Sequence, residues 1–253
     1  MKYFTTLVFI DFEKQIKPFL KTKFTFAKKK RMDQQKQFTE NDRIFYADGY
    51  RLAQTAITGG LTTARLFSAI EKLYEAIDSL NDAIISYSEK QKISIACHKG
   101  CEWCCHQAVF ANSYELHYLS EKMRESFSPD ELLVIHQKCR EKQAVTSKLA
   151  EEAVLKYKSP CPLLKDGSCS KYSARPMACR IYLSYKLESC LEFYRNPDND
   201  ANYPALLEFP LRAGQMMNEG FRAALKESGL ETAEFRIEEG LSIVLANRPP
   251  DIE

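Results

Sequence analysis

Leu66-Phe-Ser-Ala-Ile70-Glu-Lys-Leu73-Tyr74-Glu-Ala-Ile77-Asp-Ser-Leu80-Asn-Asp-Ala-Ile84-Ile-Ser-Tyr87 is the longest periodic stretch of the chain. Leu66, Ile70, Leu73, Ile77, Leu80, Ile84 and Tyr87 recur at alternating spacings of four and three, which puts them in one stripe of an α-helix. Thr62 or Thr63 opens that helix, and its end falls near Lys90–Lys92. Ile at one seam position and Leu at the other suits a coiled-coil dimer. Only about three heptads are present, however, and Phe67 and Tyr74 widen the stripe, so the pattern predicts a seam inside a helical bundle.

Upstream, Thr39 is the N-cap of a helix through about Ala56, stopped by Gly59-Gly60. Downstream, Ile93-Ser-Ile-Ala reads as a short extended segment. Asn112-Ser-Tyr-Glu115 is a capping-box pattern that opens a helix from Ser113 to about Ser126. Ser128-Pro129-Asp130-Glu131 repeats the start signal, with Pro at the first helical position, for a helix to about Tyr157 that stops before Pro160. Pro204–Pro210 reads as a turn region, and Gln215 to Ser228 as a last helix ended by Gly229. No internal repeat, low-complexity linker or βαβ alternation is present. The expected fold is mainly α: a helical bundle with irregular cysteine-rich metal-binding loops, in a single domain over residues 32–253.

The bundle interrupts itself twice for cysteine. Cys97-His-Lys-Gly-Cys101-Glu-Trp-Cys104-Cys105-His106 holds four of the nine cysteines, and Cys161, Cys169, Cys179 and Cys190 follow in a segment punctuated by Pro160, Pro162, Gly167 and Pro176. Thiols packed this closely repel one another when deprotonated and gain little from adjacency when protonated. A soft metal, either zinc or iron in an iron–sulfur cluster, resolves the conflict. The helical hairpin between the two sets can bring them together in space.

A disulfide framework is the competing explanation, and the chain argues against it. Disulfides dominate small secreted domains, whereas 253 residues suffice for an ordinary core, and the cysteine count of nine is odd. Lys2 precedes an apolar run from Tyr3 to Ile10, but Asp11 and Glu13 interrupt it and no small-residue cleavage site follows. No stretch approaches the length of a membrane span. The expected location is cytoplasmic, where clustered cysteines bind metal or do redox chemistry.

The net charge of +2 hides an asymmetry. Residues 1–31 carry nine Lys/Arg and two acids, a net of +7, which leaves 27 basic and 32 acidic residues, a net of −5, for the rest. A mildly acidic body lacks the electrostatic footprint of a nucleic-acid binder. The basic Lys28-Lys-Lys-Arg31 resembles a targeting or nucleic-acid patch, but the first thirty-one residues show no periodicity. They read as a poorly structured extension, with Met32 as an alternative start.

The downstream set adds a second signature. Cys161-Pro-Leu-Leu-Lys-Asp-Gly-Ser-Cys169-Ser-Lys-Tyr172-Ser-Ala-Arg175-Pro176-Met-Ala-Cys179-Arg180 combines a Cys-Pro start, an Asp-Gly turn before Cys169, and Tyr-x-x-Arg-Pro-x-x-Cys-Arg. With the upstream Cys-x3-Cys-x2-Cys-Cys, it closely resembles the YkgJ-type cysteine-cluster family, described as zinc- or iron-chelating, over about residues 93–190. The resemblance implies eight metal ligands: Cys97, Cys101, Cys104, Cys105, Cys161, Cys169, Cys179 and Cys190, the last without a local motif to anchor it. Lys171 departs from the family, which usually has an aliphatic residue there. The resemblance implies chelation and little about pathway, although some relatives are flagellin lysine methylases thought to use an iron–sulfur cluster.

Four thiolates around Zn²⁺ or a [4Fe–4S]²⁺ core carry a formal net charge of about −2. Arg175 and Arg180 flank Cys179 and are candidates to donate hydrogen bonds to sulfur; the plainer alternative is two surface arginines after Pro176. Tyr172 and Tyr182 are expected to pack against the cysteine loops, and Trp103 to shield the metal. His98 and His106 offer imidazole beside ligand cysteines, but eight thiols already suffice. His117 and His136 lie on helices, solvent-facing or packed. Cys139 sits at core spacing from Ile135 and stands outside both motifs.

Cys97-x3-Cys101-x2-Cys104, with an aromatic before the third cysteine, is also the spacing of radical S-adenosylmethionine enzymes. That motif follows the first strand of a β/α barrel, and here a long amphipathic helix precedes it and capped helices follow. No phosphate loop, dinucleotide fingerprint or nucleophile elbow is present. Three readings therefore stand: a metal-binding cysteine-cluster protein of unassigned pathway; an iron–sulfur-dependent transferase resembling the lysine methylases; and a helical interaction module with a structural zinc. The protein partner, if any, is unknown.

Overall fold

Caps set where the first helices begin. In the computed structural model, which describes residues 38–247, Thr39 closes a capping box on α1 (Glu40–Ile57): its hydroxyl accepts from the Asp42 N–H (3.1 Å), and Asp42 accepts from the Thr39 N–H (2.9 Å). Thr62 likewise caps α2 (Thr63–Lys90), the long helix read from its stripe. Leu66, Ile70, Leu73, Ile77 and Ile84 are all buried, so the stripe is covered by the chain's own helices. The molecule is mainly helical. The basic extension 1–31 and Met32 lie outside the described residues.

Nine helices are present among the described residues. After α2 come α3 (Ser113–Arg124), α4 (Pro129–Thr146) and α5 (Glu151–Lys156), then α6 (Met177–Arg180), α7 (Leu187–Arg195), α8 (Glu208–Glu227) and α9 (Ile237–Ala246). Helices α1 and α8 cross in close contact. A Cβ at Gly49 would overlap the Met217 carbonyl, and one at Gly220 the Tyr46 carbonyl, so glycine is what lets the two backbones touch. From Thr39 onward these elements form one compact unit.

Two small antiparallel pairs complete the frame. β1 (Phe110–Asn112) pairs with β4 (Glu234–Arg236), Phe110 opposite Arg236. β2 (Leu164–Lys165) and β3 (Ser168–Cys169) form a hairpin whose two-residue turn is Asp166-Gly167. Both turn residues have positive φ, 50° and 74°, the geometry for which Asp-Gly is suited. Among the described residues the sheets are these two pairs, with no barrel of alternating strands. No helix among them is long and apolar enough to cross a membrane.

Three expectations are corrected. The helix opened by Ser128 ends at Thr146, and Ser147–Ala150 separate it from α5. There the backbone tightens into three-residue turns (Lys148 N–H to Val145, Leu149 N–H to Thr146), while the Thr146 hydroxyl turns away to Glu238 at 3.0 Å. The last periodic helix begins at Glu208 instead of Gln215, which puts Pro210 in its first turn, where a missing N–H costs little. Finally, α9 follows it and packs against α4.

Candidate metal centre

The first cysteine loop is built by backbone. After α2, Ala96 and Cys97 donate their N–H groups to the Ser184 carbonyl (2.9 and 3.3 Å), which pins the loop to the segment after α6. Gly100, at φ 99°, turns the chain back, and Trp103–His106 forms a 3₁₀ turn carrying Cys104 and Cys105. The second loop is stitched directly onto that turn: Cys161 N–H donates to the Cys105 carbonyl (2.7 Å), and Ser159 N–H to the His106 carbonyl (3.0 Å). The helical hairpin thus joins the two cysteine segments. Seven of the eight candidate cysteines line one cavity of about 1000 Å³, and Cys190 is buried.

Backbone donors are aimed at sulfur. Ser184 N–H donates to Cys97 Sγ at 3.0 Å. The Trp103, Leu163 and Lys171 backbone amides bear on Cys101, Cys161 and Cys169 in the same sense, each from two residues further along the chain. Such bonds favour the thiolate. Burial opposes them and pushes Cys97 up to about 11 and Cys161 to about 12, with Cys101, Cys169 and Cys179 also raised. Cys105 is raised first by its hydrogen bond with the Cys104 thiol and then by burial. These sulfurs ionise together only beside a compensating cation. Among the described residues, no three His, Cys, Asp or Glu side chains already converge as a metal-holding group. The donor set nevertheless suits a soft metal: half-buried thiols lining one cavity, with the Ser184 N–H on Cys97.

The arginines divide their work. Arg180 is buried and donates nothing to sulfur; its guanidinium bonds Asp78, the Ser173 carbonyl and the Arg175 carbonyl, and lies 3.9 Å from the Tyr74 ring centroid. It braces α6 against α2. Arg175 stacks on Tyr172 (3.7 Å), bonds the Tyr172 carbonyl and faces Asp78 at 3.6 Å, and its charge favours the Cys169 and Cys179 thiolates. Tyr182 donates to Gln107 (3.0 Å), and Trp103 packs on Tyr194.

His98 and His106 turn Nδ1 to the Ala96 and Glu102 carbonyls. His117 is packed edge-on against Phe67. Cys139 is fully buried in the core, and its ionisable neighbours are Cys161, Glu238 and Lys142.

Two residues escaped the sequence. Lys142 is buried and donates to the Ser159 and Pro160 carbonyls (2.9 and 3.4 Å), holding the loop that enters Cys161 with a positive charge beside the thiols. Glu115, expected as a helix cap, does reach back to the Asn112 N–H (3.0 Å), but its other oxygen accepts from Tyr74 (2.9 Å) and from the Met177 N–H (2.7 Å) at the start of α6. A helical stretch containing a lysine or a capping glutamate carries no mark of either task. Compared with protein-family models, curated proteins and solved structures, the chain matches none.

Proposed function

We propose that this protein binds metal through Cys97, Cys101, Cys104, Cys105, Cys161, Cys169, Cys179 and Cys190, holding iron–sulfur or zinc. The observation that carries the reading is the gathering of seven of these cysteines along one cavity, with the Ser184 N–H donating to Cys97 Sγ at 3.0 Å. A buried thiol needs no such donor, whereas a metal-bound thiolate is stabilised and tuned by it. The resemblance of the two cysteine motifs to the YkgJ-type pattern implies the same ligand set. Lys142 and Arg175 add positive charge near the downstream thiols, which suits the formal charge of about −2 on a tetrathiolate centre. Bound there, zinc would hold the loops in place, and an iron–sulfur centre would add electron transfer or substrate activation.

Thiol alkylation of the intact, anaerobically prepared protein tests this, with modified cysteines mapped by mass spectrometry before and after metal is stripped. The eight cysteines should be protected before stripping and modified after it. Equal modification in both states would refute the ligand set.

The cavity favours a second reading. About 1000 Å³ of space beside the thiols leaves room for a substrate, as a transferase of the lysine-methylase type requires. The interaction-module reading loses its surface, because the stripe it needed is buried.

A further inference from the structure

Resting on the metal-binding reading, we infer that the eight thiols make two separate four-sulfur centres, and that the boundary runs between the adjacent Cys104 and Cys105. Cys97, Cys101, Cys104 and Cys190 form one centre; Cys105, Cys161, Cys169 and Cys179 form the other.

The main chain draws the boundary first. Cys97 is tied to the segment leading into α7: Ser184 N–H donates to its sulfur at 3.0 Å, its own thiol faces the Tyr182 carbonyl at 3.5 Å, and α7 carries Cys190. The same helix docks on the 3₁₀ turn, where Tyr194 lies against Trp103 (5.3 Å) and His106 (5.0 Å). Cys105 belongs to the other side, because its carbonyl accepts from the Cys161 N–H at 2.7 Å. Cys161 and Cys169 are joined through the β2–β3 hairpin, in which Leu164 pairs with Cys169 and the Leu164 N–H donates to the Cys161 carbonyl (2.9 Å).

Proximity among the sulfurs follows the same division. Cys97 interacts electrostatically with Cys101 and Cys190, and Cys101 more strongly with Cys190 than with Cys105. Around the Tyr182 hydroxyl the neighbouring thiols are Cys104, Cys190 and Cys97. On the other side, Cys161 pairs with Cys169 and Cys105, Cys169 with Cys105, and Cys179 with Cys161, Cys105 and Cys169. The groups touch where the Cys104 and Cys105 thiols share a hydrogen bond and where Cys101 senses Cys105. A 3₁₀ turn, with about three residues per turn, sends adjacent side chains about 120° apart, so neighbouring cysteines can serve opposite centres.

The two surroundings also differ. The second centre has Lys142 and Arg175 as positive neighbours of its thiols, and the Glu102 carboxylate sits at the boundary, a negative neighbour of both Cys101 and Cys105. Two centres of unequal charge environment are the expected result, and one of them can hold its metal more tightly than the other.

The test compares Cys104→Ser with Cys105→Ser in the full chain, purified anaerobically. Iron, zinc and acid-labile sulfide are counted per folded chain, and circular dichroism confirms the fold. Each single variant should lose one centre and keep the other, the two should keep different ones, and Cys104→Ser/Cys190→Ser should lose no more than Cys104→Ser alone. A single variant that stays folded yet loses all its metal would overturn the division in favour of one polynuclear site. Should the variants fail to fold, chelator-driven metal release from the unmodified loaded protein decides: two kinetic phases support two centres, and one concerted phase contradicts them. Metal-free wild-type protein would instead defeat the underlying metal-binding reading, and the division with it.

Discussion

The Glu115 carboxylate accepts a hydrogen bond from the Met177 N–H at 2.7 Å, joining the start of α3 to the start of the short helix that carries Cys179. Tyr74 of α2 shares the same oxygen at 2.9 Å, so three helices meet at one buried acid. Removing the acid leaves buried donors unpaired on three elements, which decides the sign of the effect.

Glu115→Ala should therefore destabilise the fold by roughly 3–5 kcal/mol, and Glu115→Gln by less, because the amide keeps one acceptor. Urea unfolding of both variants checks this. A loss below about 1 kcal/mol for the alanine variant would show that the carboxylate is not a brace.

Glycine at the α1–α8 crossing offers a control far from the thiols. Alanine is the better helix former by about 1 kcal/mol, but a Cβ at Gly220 meets the Tyr46 backbone carbonyl, which cannot rotate out of the way as a side chain can. The overlap wins, and Gly220→Ala should cost about 1–3 kcal/mol in thermal or urea unfolding while leaving metal content intact.

Much of this frame was legible in the sequence. The Thr39, Thr62 and Ser128 caps and the Leu66–Tyr87 stripe announce themselves, because capping and periodicity are local properties. The β1–β4 pairing was not legible: three-residue strands carry no usable alternation, and Phe110 and Arg236 are distant in sequence. Arg180 looked like a sulfur donor because it adjoins Cys179, whereas its partner Asp78 lies on another helix. The cysteines stood out as candidate ligands by their clustering, but spacing alone leaves open which neighbours Cys104 and Cys105 face.

Acid should weaken the N-terminal anchor. Asp42 accepts from Arg212 Nε at 2.7 Å, and that bond, partly offset by burial, holds its carboxyl below the usual carboxylate range. A depressed folded-state pKa gives stability that is present above the unfolded value near about 3.9 and is lost as pH falls through the folded value. Urea midpoints between neutral pH and acid should fall less for Asp42→Asn than for the wild type. An identical fall in both would remove Asp42 from the account.

Cys139 and the cluster cysteines should behave oppositely. Cys139→Ala should keep metal stoichiometry and cost about 1–3 kcal/mol, as for a small side chain lost from a core. Cys179→Ser should lower bound metal and destabilise the fold, since metal-binding free energy is also folding free energy. Metal analysis beside thermal unfolding separates them; loss of metal in the first variant and not the second would reverse the ligand assignment.

The most direct measurement is iron, zinc and acid-labile sulfide per chain in protein purified without oxygen, with the visible spectrum recorded on the same sample. The account predicts bound metal, with brown, broadly absorbing protein that contains iron and sulfide as the first expectation and stoichiometric zinc in colourless protein as the structural alternative. Protein free of iron, zinc and sulfide, with all nine cysteines titrating as thiols after denaturation, would contradict it.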